Sequence, residues 1–415
     1  MKKALSILAL FLSGICIYAQ GVQFKDEGPK KFEYKYKNGD SYRILSTVVE
    51  DVYYNGYKHH SSEILNRVSV NISSADEKAG TGVHNGKFMT SEKSVLTGYN
   101  VNKTFSYGEE YDSVFTRDKF GVYTISDEYF MPVVRDVPVF LDKEVKVGEE
   151  WFYEGHEAHD LRRTFDLKGP YKVPFNAHYK YLGVTEQNGK KLDVFQVYYE
   201  LSFTVKSKNL RTADENPETT TGFSSQLIFW DNEKGAIDNY KESFKIEIIT
   251  NMGNVLTFAG TAHAEVTDFV RTSTQENLDD AKKKIEDLGL ENVNVTATDK
   301  GLTLSIENIQ FEPDSDVLLA SEKRKLDKLS DILKDYPSND LLITGHCALR
   351  GTVESRQKLS EERASSVADY LVKIGVKDKY HIFTKGRGAE EPIASNATEA
   401  GRSKNRRVEI TILEK

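Results

Sequence analysis

From residue 28 to about 271 the apolar and charged residues of this chain alternate with a period of two, and no other feature restricts the fold as much. In "KKFEYKYKNGDSYRI", Phe32, Tyr34 and Tyr36 alternate with Glu33, Lys35 and Lys37. Asn38-Gly39 then offers a tight turn before Tyr42 and Ile44 resume the pattern. Successive side chains of a strand point to opposite faces, and an Asn-Gly pair suits the positive φ values of a two-residue hairpin loop. The stretch therefore predicts a half-buried antiparallel hairpin. The pattern recurs at Val68, Val70 and Ile72, in "KEVKVGEEWFY", and in "HYKYLGVTEQNGKKLDVFQVYYELSFTV", which predicts two long strands across Asn188-Gly189. "SSQLIFWDNEKG", "ESFKIEIIT" and "VLTFAGTAHAEVTDFV" add further strands, and no long amphipathic helix interrupts them. Residues 20–271 thus read as an antiparallel β-rich domain, a sandwich or an open barrel.

Near Thr272 the pattern changes. Leu278, Ala281, Ile285 and Leu288 recur at helical spacing and Gly289 closes the run, so residues 272–299 read as a linker helix and the entry to a second domain. "GLTLSIENIQF" predicts a strand. A helix from Ser321 to Tyr336 follows, with Leu326, Leu329, Ile332 and Leu333 inward and Pro337 stopping it. After the strand "DLLITGH" comes a helix capped by Ser360, with Glu361 and Glu362 in its first turn and Gly375 at its end. "HIFTKGRG" and "NRRVEITIL" supply the last strands. Residues 300–415 form a two-layer α/β domain of order β-α-β-α-β-β, and the chain as a whole is α+β.

With 39% hydrophobic residues, 22 Tyr and 21 Phe among 415 residues, the chain is too apolar and aromatic to be disordered. A formal charge of −8 disfavours nucleic acid as a partner. The first residues place Lys2 and Lys3 before an apolar run ending near Tyr18, with Ala19 at a cleavage point, so residues 1–19 read as an export signal; lipidation at Cys16 is the competing reading. Cleavage leaves Cys347 without a disulfide partner. The expected location is the periplasm, in association with the outer membrane or the cell wall. No nucleophile elbow, phosphate loop or paired-histidine metal motif occurs. His156 and His159 stand three apart in a strand and face opposite ways. The expectation is a protein that is not an enzyme and carries no metal or cofactor.

"IQFEPDSDVLL", "ITGHCALRGT", "QKLSEERASSVADYLVKIGV" and "KGRGAEEPIASNATEAGRSKNRRVEI" resemble, in order and spacing, the OmpA-like C-terminal domain. The resemblance implies non-catalytic binding of the diaminopimelate in the peptidoglycan stem peptide. In that family an Asp of a Gly-His-Thr-Asp loop and an Arg of a Leu-Ser-x-x-Arg-Ala turn grip the two ends of the zwitterion. Arg363 matches the Arg, where the first turn of its helix adds N–H donors, and Asp314 matches the polar position after Phe311. The departures fall at the chemistry: the loop Thr is Cys347, the loop Asp is Ala348, and an Asn before the Leu-Ser pair is Arg356. Glu354 is the candidate for a substitute carboxylate. Losing one partner of a charge pair costs about 2–5 kcal/mol, so wall association is expected to be weak or lost. Arg402, Lys404, Arg406 and Arg407 are expected to tie the last strand to the core. For the β-rich domain an envelope protein, a lipid or a glycan are all open partners. The rival architecture is an outer-membrane β-barrel anchored to the wall through its C-terminal domain, against which stand Lys35, Lys37, Lys190 and Lys191 on strands and hairpin ends.

Overall fold

A computed structural model describes residues 23–96, 105–205, 214–268, 272–298, 300–312 and 315–414. The export signal, Cys16 and Asp314 lie outside the described residues. The chain divides into two compact units. One is built on the sequence up to 267; the other is residues 268–415 together with 91–93 and 100–108.

The first unit is a nearly closed antiparallel barrel. Its strands are β1 (Ser41–Tyr54), β2 (Tyr57–Asp76), β3 (Thr81–Leu96), β4 (Phe105–Asp118), β5 (Tyr123–Ile125), β6 (Val134–Arg135), β7 (Glu150–His159), β8 (Tyr171–Gln187), β9 (Lys190–Thr204), β10 (Pro217–Asp231), β11 (Ala236–Thr250) and β12 (Val255–Asp268), with one short helix, α1 (Arg162–Phe165). From β6 to β12 each strand pairs antiparallel with the next. β12 pairs in turn with β1, and β1 with β2. As expected, Asn188 and Gly189 turn the β8–β9 hairpin, with φ of 50° and 76°. Asn55-Gly56 does the same between β1 and β2, with φ of 51° and 82°.

The first predicted hairpin is corrected. Phe32, Tyr34 and Tyr36 are buried and Lys35 is exposed, as the alternation requires, yet this segment forms no ladder with β1. Its amides instead reach three separate places: Lys30 N bonds Val145 O, Tyr34 N bonds Lys119 O, and Lys35 N bonds Gly235 O. The segment closes the barrel interior and is not part of its wall. Around it pack Tyr179, Tyr181, Phe195 and Trp230, all with no exposed surface. Phe32 meets Phe195 edge-on at 4.8 Å, and Tyr34 meets Trp230 at 4.7 Å. The aromatic residues that favour strands here also fill the core, each such pair adding about 0.5–1.5 kcal/mol beyond its buried area.

The second unit contains α2 (Gln275–Asp287), β13 (Val293–Thr298), β14 (Gly301–Glu307), α3 (Ala320–Lys334), β15 (Leu341–Gly345), α4 (Val353–Lys373), β16 (Ile382–Gly386), α5 (Glu399–Asn405) and β17 (Arg407–Leu413). Its sheet runs β13–β14–β17–β15–β16, with only the β15–β16 pair parallel. Phe105 and Ser106, at the start of β4, belong to this second unit and pair in parallel with Phe383 and Thr384 on β16. The expected inward residues Leu326, Leu329, Ile332 and Leu333 are buried on α3, as are Ala281 and Ile285 on α2. Two small elements, β13 and α5, were not anticipated.

One element boundary is corrected, and it matters for the site. Ser360 does not cap a helix: α4 starts at Val353, where the Thr352 side chain accepts from Ser355 N, and Glu354 occupies the first turn. Ser360 is fully buried inside the helix. Its hydroxyl donates to Gln357 O and accepts from Gly388 N at 2.9 Å. Arg363 therefore sits in the third turn, away from the unpaired amides of the helix N-terminus.

Candidate functional site

The end of β15, the loop His346 to Gly351 and the first three turns of α4 enclose the matched residues. Gly345 lets α4 approach closely, because a Cβ there would lie 2.1 Å from Ser360 O. His346, Cys347 and Ala348 are each below a tenth exposed. The backbone of the loop is tied to three other segments: His346 N bonds Arg407 O, Cys347 N bonds Gly388 O, and Leu349 N bonds Asn396 Oδ1. Asn396 in turn accepts from Asn405 Nδ2, while Asn405 Oδ1 accepts from Ile393 N and Ala394 N. Asn405 is 1% exposed. This asparagine, whose structural part the sequence reading missed, holds the outer loop against the inner one.

The structure brings Arg363, Arg356 and Cys347 together and leaves Glu354 apart. Arg363 lies with its guanidinium carbon 4.8 Å from the centre of the Phe311 ring. Burial raises the Cys347 thiol above its ordinary range, against the opposing pull of Arg363 and Arg356. The sulfur is therefore a neutral, inert group whose S–H points to Arg356 O at 3.6 Å. Arg356 donates from Nη1 to Gly351 O. Glu354 is exposed in the first turn of α4, and its carboxyl is held low first by its own backbone amide and the Thr352 hydroxyl, with Arg356 adding a smaller pull. It acts at the helix terminus and supplies no carboxylate to the loop. At position 348 itself there is only a methyl group. A separate open groove of about 480 Å³ lies further along α4, between Asp316, Val317, Ser366 and Tyr370, and is lined by none of the loop residues.

In the basic cluster near the C-terminus, Arg407 ties the last strand to its surroundings, whereas Arg402 and Arg406 make ion pairs at their own helix, α5. Arg402 and Arg406 both pair with Glu399, at 2.8 and 2.6 Å. Arg407, 3% exposed, donates from Nε to Glu409 at 2.7 Å and from Nη1 to Glu391 O. Glu409 also lies 3.6 Å from His346 Nε2. Burial alone would raise the Glu409 carboxyl, but His346 and Arg407 hold it down at about 2.

Residues 310–406 match the family model described as OmpA family. They form an OmpA family domain. The probable lipoprotein YiaD of Escherichia coli is 36% identical over 121 residues, which are 29% of this chain and 55% of that protein. The peptidoglycan-binding protein ArfA of Mycobacterium bovis is 43% identical over 104 residues, 25% of this chain and 32% of the relative. Among solved structures, the cell wall anchor of the T6SS from Pseudomonas aeruginosa is 29% identical, covering 32% of this chain and 96% of that one, with a TM-score of 0.29. The chain thus spans about half the length, or less, of these curated relatives. The β-rich region matches no family model.

Proposed function

We propose that this is a non-catalytic protein of the periplasm in which the OmpA family domain meets peptidoglycan weakly, through half of a clamp. The observation that carries the reading is the pairing of Arg363 beside Cys347 with a methyl group at Ala348. Arg363, the residue proposed to take a stem-peptide carboxylate, lies near Cys347, and residues 346–351 carry no acidic side chain for the ammonium. A name such as peptidoglycan-binding protein ArfA, among relatives of this domain, supports the cell wall as the partner. The barrel unit would bind a separate envelope component. Its largest aromatic cluster lies on the face shared by β7 to β11 and is packed inside, whereas a bilayer-spanning barrel turns its apolar band outward and keeps a polar interior. Among the described residues no helix is long and apolar enough to cross a membrane.

The test is calorimetric titration with diaminopimelate-containing muropeptides. Ala348→Asp, alone or with Cys347→Thr and Arg356→Asn, is expected to tighten binding at least about tenfold, or about 1.4 kcal/mol. Arg363→Ala in that background should remove the gain. Equal affinity of the wild type and the restored loop, or tight saturable binding of the wild type to intact peptidoglycan, would overturn the reading.

A further inference from the structure

The groove of about 480 Å³ in the second unit lies between α3 and α4, with the segment Asp316 to Leu318 completing its lining. Neither Arg363 nor the loop from His346 to Gly351 lines it. Tyr370 donates from Oη to Asp327 Oδ1 at 2.7 Å, which ties α4 to α3 beside the groove. Part of the lining is apolar. Leu318 is 5% exposed and Val372 packs against the core of the unit, whereas Val317 is 46% exposed and offers its methyl groups to whatever enters. Along α4 the lining runs from Ser366 to Lys373, a rise of about 10 Å, which is the length of about three residues of extended chain.

Four charged side chains line the same groove, two of each sign. The acids are engaged within the protein: Asp316 accepts from the Ser366 hydroxyl at 3.2 Å, and Asp369 has a contact of its own in the chain. The cations are not. Lys323 on α3 and Lys373 on α4 line opposite walls, and neither ammonium has an ion pair or hydrogen bond among the described residues. Lys323 also stands near the start of α3, whose N-terminus no side chain caps, and a helix end of that kind attracts anions. The charge left to a ligand is therefore positive, above an apolar lining.

We propose that this groove docks an extended peptide segment that carries carboxylates, with Lys323 and Lys373 as its cations and Val317, Leu318 and Val372 as its apolar contacts. A groove open along its length suits a chain laid into it, whereas small molecules are held in sites that enclose most of their surface. In an extended segment alternate side chains face opposite ways, so apolar residues can meet the lining while acidic ones reach lysines whose stems follow the walls. The fitting partner is an acidic, alternating segment of another protein. The site is independent of the cell-wall reading of the clamp.

Fluorescence anisotropy of the purified protein tests it, at pH 7 and low salt, with the fluorescein-labelled probes Glu-Leu-Glu-Val-Glu-Leu and Lys-Leu-Lys-Val-Lys-Leu. Saturable binding of the acidic probe and none of the basic one is expected. Lys323→Ala and Lys373→Ala should each raise the Kd about two- to fivefold, the effect of one exposed ion pair. Val317→Ser should raise it about threefold. Lys323→Glu combined with Lys373→Glu should reverse the preference to the basic probe, which loss of fold could not do. Arg363→Ala should leave binding of the acidic probe unchanged, which keeps this test apart from that of the clamp. No saturable binding of the acidic probe, equal binding of both probes, or an affinity that neither lysine variant moves would overturn the proposal. Full displacement of the probe by an equal concentration of glutarate would also overturn it, in favour of a small-molecule site.

Discussion

Arg407 in the second unit and Arg117 in the first are the same side chain at nearly the same depth, 3% and 7% exposed. Arg407 has a carboxylate at 2.7 Å and a backbone carbonyl at 3.0 Å. Arg117 has two aromatic faces and no ion pair among the described residues. The difference separates a charge neutralised on its own strand from one held among tyrosine rings. Arg407 and Glu409 stand two apart on β17, on one face, so the strand carries its own neutralisation. Arg117 has Phe115 and Lys119 at those positions, and the strand alone cannot compensate it.

The largest expected effect tests that contrast directly. Arg407→Met leaves the partly exposed Glu409 with His346 as its remaining neighbour and Glu391 O without its donor, and urea unfolding should show a loss of about 3 kcal/mol. Arg117→Met should cost less than about 1 kcal/mol or stabilise the protein, because it removes a buried cation that no carboxylate among the described residues pairs with. Equal losses would erase the distinction. Next in size, Asn405→Ala should cost about 2–3 kcal/mol, since it strips acceptors from two buried amides and releases Asn396.

Two carboxylates extend the comparison to pH, with effects near 2 kcal/mol each after allowance for solvent screening. Glu409 sits at about 2, below an ordinary carboxyl, so its contribution is complete above about pH 4.5 and is lost as pH falls toward 2. Glu409→Gln should therefore be destabilised at pH 6 and nearly equal to the wild type at pH 2. Glu242 in the barrel is pushed up to about 7 by burial, with Glu157 adding, while Ser224 and Gln226 hydrogen-bond to it. Ionising it costs the folded state as pH rises from about 4.5 through 7. Glu242→Gln should match the wild type at pH 5 and exceed it at pH 8. Parallel pH profiles for the two variant pairs would show that one of these environments has been misread. The smallest effect is Ser360→Ala, about 1 kcal/mol for leaving Gly388 N without its acceptor, measured on the same urea transition.

The β character of the first region was legible because a period of two survives any choice of partner, and Asn188-Gly189 specified its turn locally. Asn38-Gly39 carried the same signal but did not give a hairpin, because the bonds of Lys30, Tyr34 and Lys35 to Val145, Lys119 and Gly235 compete with pairing to β1. Periodicity reports which side chains are inside, not which strand lies alongside. Ser360 looked like a cap because serine followed by two glutamates is a good helix start. Thr352 and Glu354, with Gly351 at φ 85° just before them, are a better one eight residues earlier. The loop around Ala348 was readable from its resemblance, whereas Asn405 as its support was not, since that role exists only through bonds to Ile393, Ala394 and Asn396. The Arg117 patch left no local trace. The rings around the guanidinium come from Tyr34 and Tyr123, and each tyrosine alone reads as an ordinary strand residue.

The way the loop from His346 to Leu349 is held has a consequence for descent. Its amides are fastened by Arg407, Gly388 and Asn396, none of which depends on the side chains at 347 and 348. Affinity at this site can then drift through single replacements while the backbone stays still. Under the proposed function, selection could discard or regain a grip on the cell wall here without first having to reinvent the domain.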